Sequence, residues 1–171
     1  MDYIKDLVEI VGDKNVKTDR IERLCYSKDM SVHEGVPDAV VFARTTEEVS
    51  KILKLANDRD IKIIPRGSGT SVTGAVLPCF GGVILDLSLM TKIKEIRPKD
   101  GYAVVEPGVI CQTLNNALAP THFFPPDPGS ATIASIGGMV STNASGNRAI
   151  KYGTTKDYIM GLEVVLADEG S

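Results

Sequence analysis

Residues 63–74, IIPRGSGTSVTG, carry the clearest chemical pattern in the chain: a β-branched run gives way to glycines interleaved with hydroxyl side chains. Such a loop brings bare backbone up to an anion, because Gly67, Gly69 and Gly74 permit positive φ and put no Cβ between the N–H donors and a ligand. Ser68, Thr70, Ser71 and Thr73 add hydroxyl donors, and Arg66 offers a planar cation to a phosphate edge. Ile61, Ile63 and Ile64 read as a buried strand that Pro65 ends by removing a ladder donor. An ordinary surface turn behind a strand is the competing reading. Two common nucleotide fingerprints do not fit: the spacing is not G-x-x-x-x-G-K-[ST], and no G-x-G-x-x-G opens a helix behind a strand.

A second cluster runs from Phe124 to Gly153, FPPDPGSATIASIGGMVSTNASGNRAIKYG. Pro125, Pro126 and Pro128 stiffen its start, Gly129, Gly137, Gly138 and Gly146 loosen the rest, and Ser130, Thr132, Ser135, Ser141, Thr142, Asn143 and Ser145 supply short polar groups. The composition predicts an irregular surface loop, and its length suggests a functional one. Two phosphate-compatible segments far apart in sequence point to one extended ligand between two lobes.

The surrounding periodicities say what positions these segments. Asp2 caps a predicted helix with Ile4, Leu7, Val8 and Val11 on one face and Gly12 at its end. Ala39 to Ala43 reads as a strand, and Thr45 with Glu48 forms a capping box for a helix bearing Val49, Ile52, Leu53 and Ala56 on one stripe. With the strand Ile61 to Ile64 this makes a βαβ unit, hence a parallel pair with a right-handed crossover. The glycine loop then falls at a strand's carboxyl end, where open α/β sheets bind ligands. Val83 to Leu87 is a further strand. KIKEIRP and YAVVEPG form a hairpin around Lys99, Asp100 and Gly101. Val109 to Leu118 is a weaker helix, and Ile159 to Leu166 a strand.

The 171 residues, 43% apolar and 24% charged, describe a globular protein able to bury a core. A net charge of −3 argues against a nucleic-acid footprint, which needs a basic face. No stretch is long and apolar enough for a membrane span, and the start of the chain lacks a leader pattern, so the expected compartment is the cytoplasm. Cys25, Cys79 and Cys111 are odd in number and form no C-x-x-C pair, which fits free thiols. His33 and His122 have no partners at metal-ligand spacing, so no metal site is expected.

Taken together, PRGSGTSVTG, LDLS, EPGV, PPDPGS, IGGMVSTNASG, KYGTT and GLEVVLAD resemble, in that order, the FAD-linked oxidases of the vanillyl-alcohol-oxidase type. Within that family they are similar to the branch of the glycolate oxidases and D-lactate dehydrogenases. The resemblance covers the chain from about Pro37 onward. It implies an α+β, two-lobed FAD-binding domain: a small βαβ lobe over residues 1–97 and an incomplete mixed-sheet lobe over residues 98–171, with the substrate domain absent.

The resemblance places FAD with its pyrophosphate at Arg66, Gly67, Ser68, Gly69, Thr70, Ser71 and Gly74. Its ribityl chain and flavin run along Pro128, Gly129, Ser135, Gly137, Gly138, Asn143 and Gly146. Asp86 and Tyr152 are expected to support the fold, and Ser145 stands where many relatives carry glycine. Members with covalent flavin have histidine where this chain has Thr70, so FAD is expected to be noncovalent. The implied reaction of the intact protein is oxidation of a D-2-hydroxy acid of the glycolate or D-lactate type, with a base taking the hydroxyl proton and hydride passing to the flavin. An electron-acceptor protein or quinone would reoxidise it. No catalytic residue is identified in this chain, which looks like an N-terminal fragment inactive by itself. A flavin-binding module without turnover and a related nucleotide-sugar reductase are the alternative readings.

Overall fold

The computed structural model describes residues 3–167. These divide into two compact units, one formed by the residues up to Leu89 together with those from Glu163, the other by Met90–Leu162.

In the first unit a four-stranded sheet carries the helices α1 (Tyr3–Val11), α2 (Arg20–Leu24) and α3 (Thr46–Asp58). Its strands are β1 (Val16–Lys17), β2 (Ala39–Phe42), β3 (Ile63–Arg66) and β4 (Val83–Asp86), in the order β1-β2-β4-β3. Leu7 and Val11 of α1 and Ile52 of α3 pack with Ala39, Val41, Val83 and Leu85 of the sheet. Gly12, at φ 84°, ends α1 as expected, its N–H donating to Val8 O. Asp2, read as the cap of α1, lies outside the described residues.

The βαβ reading requires a correction. β2 and β3 are parallel but not adjacent, because β4 pairs with both, Val40 and Ile64 each aligning with Ile84. All four residues of β4 are buried, as suits the strand with a neighbour on either side. Pro65 does not end β3 either. It sits inside the strand opposite Leu85, and it is tolerated because β3 is an edge strand whose second side needs no donor. The expected capping box is half formed: Thr45 Oγ1 accepts from Glu48 N at 3.2 Å, but the Glu48 carboxylate reaches one residue further back, to Arg44 N at 2.7 Å.

The second unit opens with the predicted hairpin, β5 (Ile93–Arg97) and β6 (Tyr102–Val105), turned through Gly101 at φ 72°. α4 (Cys111–Leu118) follows where the weaker helix was expected. Its Cys111 and Leu114 join Val109, Ala134, Ile136 and Met139 in a separate core. The segment expected to be irregular contains two short helices, α5 (Ile136–Thr142) and α6 (Ala149–Tyr152). The strand expected at Ile159 to Leu166 is not formed. Met160, Leu162, Val164 and Leu166 are 60–83% exposed, and an alternating apolar run becomes a strand only where a neighbour accepts its ladder bonds.

Candidate functional site

β3 ends at Arg66, and the chain then enters the glycine loop with its backbone donors unspent. The N–H groups of residues 68–72 donate to no acceptor among the described residues. Gly69 and Gly74 take left-handed conformations at φ 69° and 76°, which only glycine adopts at little cost. Successive free donors around a left-handed turn are the backbone pattern that cradles anions. The hydroxyls are nearby: Ser71 Oγ lies 3.0 Å from Thr73 Oγ1 and accepts from Thr73 N at 3.2 Å.

The loop is held from one side by residues 26–31, which the motif reading does not include. Met30 N donates to Ser71 O at 3.0 Å, and Gly74 N to Asp29 Oδ2 at 3.1 Å. Asp29 Oδ1 accepts from Ser31 N at 2.7 Å, an Asx turn. Partial burial opposes ionisation of Asp29, but the hydrogen bonds from Ser31 and Gly74 and the charge of Arg66 outweigh it and hold the carboxyl below its ordinary value. The only sequence signal for this clamp is the Asp-x-Ser spacing.

Arg66 is placed differently from expectation. Its side chain turns inward and is 8% exposed, with Nη2 donating to Lys28 O at 2.9 Å and the guanidinium carbon 5.3 Å from the Tyr26 ring centroid. Burial, with Asp86 adding to it, pushes the Tyr26 phenol well above its usual range. Asp86 is itself buried and accepts from Ser88 N at 2.7 Å, in keeping with its expected support of the fold.

In the second cluster most donors are already used. Gly137 N donates to Pro107 O at 2.8 Å and Gly138 N to Ser135 Oγ at 3.4 Å. Ser141 and Thr142, expected to offer free hydroxyls, bond back to the carbonyls of Gly137 and Gly138 at 2.9 and 3.0 Å. Asn143 is the left-handed C-cap of α5 at φ 47°, and its Oδ1 accepts from Lys156 N at 3.0 Å. A Cβ on Gly137 would lie 2.6 Å from Pro107 Cβ, and one on Gly146 would overlap the backbone carbonyl of Asp127. Asp127 also accepts from Arg148 N at 3.0 Å and pairs with its guanidinium. Within this cluster Gly129 has open space around its Cβ position, and Ser135, the N-cap of α5, is buried. Pro128 O accepts from Ala131 N at 2.8 Å. Tyr152 holds its place through its carbonyl, which accepts from Tyr158 Oη at 2.6 Å, and through edge contact with Phe123.

Among the described residues no group of three or more His, Cys, Asp or Glu could hold a metal ion. His122 Nδ1 lies 2.9 Å from Thr121 Oγ1 on the surface, and His33 is exposed near Gly74.

Residues 37–170 match the family of FAD binding domains, and the chain belongs to that family. It is 40% identical over 169 residues to glycolate oxidase subunit GlcD of Bacillus subtilis, covering 98% of this chain and 36% of that protein. It is 44% identical over 169 residues to the mitochondrial D-lactate dehydrogenase [cytochrome] of Arabidopsis thaliana, covering 96% and 29%. The chain thus spans about a third of the length of these relatives. The structure superposes on alkyldihydroxyacetonephosphate synthase with a TM-score of 0.88 at 24% identity, over 97% of this chain and 36% of that one, a likeness of fold. It also superposes on p-cresol methylhydroxylase, solved with substrate bound, with a TM-score of 0.74 at 28% identity, over 84% and 29%. The fold is therefore the α+β FAD-binding domain of the vanillyl-alcohol-oxidase type, and the cofactor is FAD. The unspent donors of residues 68–72 fit such a group, whose diphosphate needs several N–H partners at once.

Proposed function

We propose that this chain is the FAD-binding portion of an oxidoreductase that oxidises a D-2-hydroxy acid of the glycolate or D-lactate type. The observation that carries the reading is the row of five unspent N–H donors at residues 68–72 around the left-handed Gly69, in a chain whose relatives bear those substrates in their names.

Gly67, Ser68, Gly69, Thr70, Ser71 and Gly74 hold the diphosphate by backbone and hydroxyl donors. Pro128, Gly129, Ser135 and Gly138 line the remainder of the cofactor. Gly137, Asn143 and Gly146 shape that segment through the contacts already described. Bound FAD supplies the hydride acceptor; the chain's part is to fix it and keep its charges balanced. Thr70, which cannot form the histidyl link, makes the attachment noncovalent. Among the described residues neither His33 nor His122 is paired with a carboxylate that would make it a base. The cytochrome in the name of the Arabidopsis relative supports a redox protein as the electron acceptor, with a quinone as the alternative. Free Cys25, Cys79 and Cys111 support a reducing compartment, for which we propose the cytoplasm.

Two measurements on the full-length protein test this. Acid precipitation of the yellow holoprotein is expected to leave the flavin in the supernatant; colour in the pellet would refute the role given to Thr70. A dye-linked assay is expected to show turnover with glycolate or D-lactate, and absence of turnover with every D-2-hydroxy acid tried would refute the substrate class.

A further inference from the structure

Arg66 is buried at the end of an edge strand, yet one arm of its guanidinium has no hydrogen-bond partner among the described residues. Nη2 donates to Lys28 O at 2.9 Å and the guanidinium faces Tyr26, while Nη1, also buried, finds no acceptor among the described residues. Burial lowers the guanidinium's proton affinity, and the nearby Tyr26, Asp86 and Asp29 oppose that effect. Arginine remains a cation under such conditions. Its position relative to the loop is close: a Cβ on Gly69 would overlap Nη2. Gly69 is therefore required twice, once for its positive φ and once so that the guanidinium can pack against the loop backbone.

These contacts link three pieces of chain. The guanidinium joins the end of β3 to Lys28 and abuts Gly69, and the segment it holds contributes Asp29 and Met30, which bind Gly74 N and Ser71 O. Removing the guanidinium would loosen the segment that makes both bonds.

We propose that Arg66 is a positioning residue for the dinucleotide's diphosphate: it fixes the glycine loop from behind and keeps a positive charge, shared with Asp29 and Asp86, against Gly69 in the row of donors at residues 68–72. The inference rests on the reading that this loop holds the FAD diphosphate. The guanidinium does not need to touch the ligand. A cation a few ångströms behind an anion site acts through a medium of low effective dielectric, where its attraction is far less screened than in water.

The test is calorimetric titration of FAD and of ADP into the full-length apoprotein, as wild type, R66K and R66M, with a thermal melt of each apo form. Wild type is expected to bind both ligands, and failure to bind either would remove the diphosphate reading and this inference with it. R66M is expected to lose tenfold or more in affinity for both. R66K keeps the charge without the planar fork, and it is expected to recover at least threefold of that loss. Wild-type binding with R66M within twofold for both ligands overturns the inference while leaving the diphosphate reading intact. R66K no better than R66M overturns the electrostatic role. Should R66M not fold, R66Q replaces it, keeping a long polar side chain without the charge or the full fork. R66Q is expected to weaken FAD and ADP by tenfold or more, and binding within twofold of wild type overturns the proposal.

Discussion

In residues 66–74 the left-handed glycines stand beside N–H donors that no described residue accepts, whereas in residues 128–146 Gly137 and Gly146 are where a neighbouring residue comes too close for a side chain. Gly69 and Gly74 have φ of 69° and 76°. Gly137 and Gly146 face Pro107 and Asp127 at distances that exclude a Cβ. The first segment keeps donors free for a partner that the described residues do not supply, and the second is built largely to approach itself. Both read as small-residue clusters in sequence, since glycine serves positive φ, ligand approach and close internal packing alike. Their donors tell them apart: mostly spent within the second, unspent over five successive residues in the first.

The comparison breaks most sharply at Gly146. Gly146→Ala forces a methyl into the Asp127 carbonyl, and backbone on both sides must move. The cost expected is about 3 kcal/mol or more, the range of severe overpacking. Urea unfolding of the apoprotein should show the loss, and FAD affinity should fall only as far as unfolding explains. A variant with wild-type stability and weakened FAD binding would move Gly146 from the packing class to the ligand-approach class.

Gly69→Asp is expected to do the reverse. The substitution adds a Cβ against Arg66, imposes a positive φ on a non-glycine residue, and places a negative charge at the site proposed for the diphosphate. Losing one charge-assisted hydrogen bond costs about 1.5–3 kcal/mol, so FAD affinity should fall by roughly tenfold or more. The positive φ costs about 1 kcal/mol of folding stability. Fluorescence-quenching titration beside a circular dichroism melt measures both. Unchanged affinity in a folded variant would take the diphosphate away from this loop.

Asn143→Ala tests the intermediate case. The family resemblance groups this residue with the ligand contacts, yet its left-handed backbone caps α5 and its Oδ1 is committed to Lys156 N. The expected loss is about 1 kcal/mol of apo stability, from the lost hydrogen bond and the left-handed penalty on alanine. An effect on FAD affinity larger than tenfold, at unchanged stability, would restore it to the ligand contacts.

How much can be read from the chain follows the same division. The strands Ala39 to Phe42 and Val83 to Asp86 and the helix after Thr45 are legible because their apolar periodicity reports burial directly. The sheet order is not, since insertion of β4 between β2 and β3 depends on which strand can be buried on both sides, and β2, β3 and β4 are all short and apolar. Pro65 misleads because a missing donor ends a central strand but not an edge. Ile159 to Leu166 has strand periodicity, but a ladder partner is a tertiary fact. The helix α5 is hidden by its glycines, whose low propensity is overridden by the Ser135 cap, the Asn143 cap and contact with Pro107. The loop itself is legible, whereas its clamp, Tyr26 to Ser31, lies some 40 residues upstream with only an Asp-x-Ser spacing to mark it.

That clamp provides the smallest and most specific test of the contrast, because it acts on the loop that keeps its donors free. The Asp29 carboxyl is held below its ordinary value of 3.8. A group whose folded value is depressed contributes stability that is fully present above its unfolded value and is lost as pH falls through the folded one. Asp29 is partly exposed, so solvent screening reduces the effect. In Asp29→Asn the amide oxygen can still accept one hydrogen bond, but the charge that answers Arg66 and the second strong acceptor are gone. The apo melting temperature of the variant should therefore lie slightly below wild type at neutral pH, with the gap constant down to about pH 4.5 and closing below about pH 3.5. A gap that does not change with pH would mean that Asp29 acts through shape alone. A gap that widens on acidification would reverse the sign, and with it the account of how the glycine loop is held.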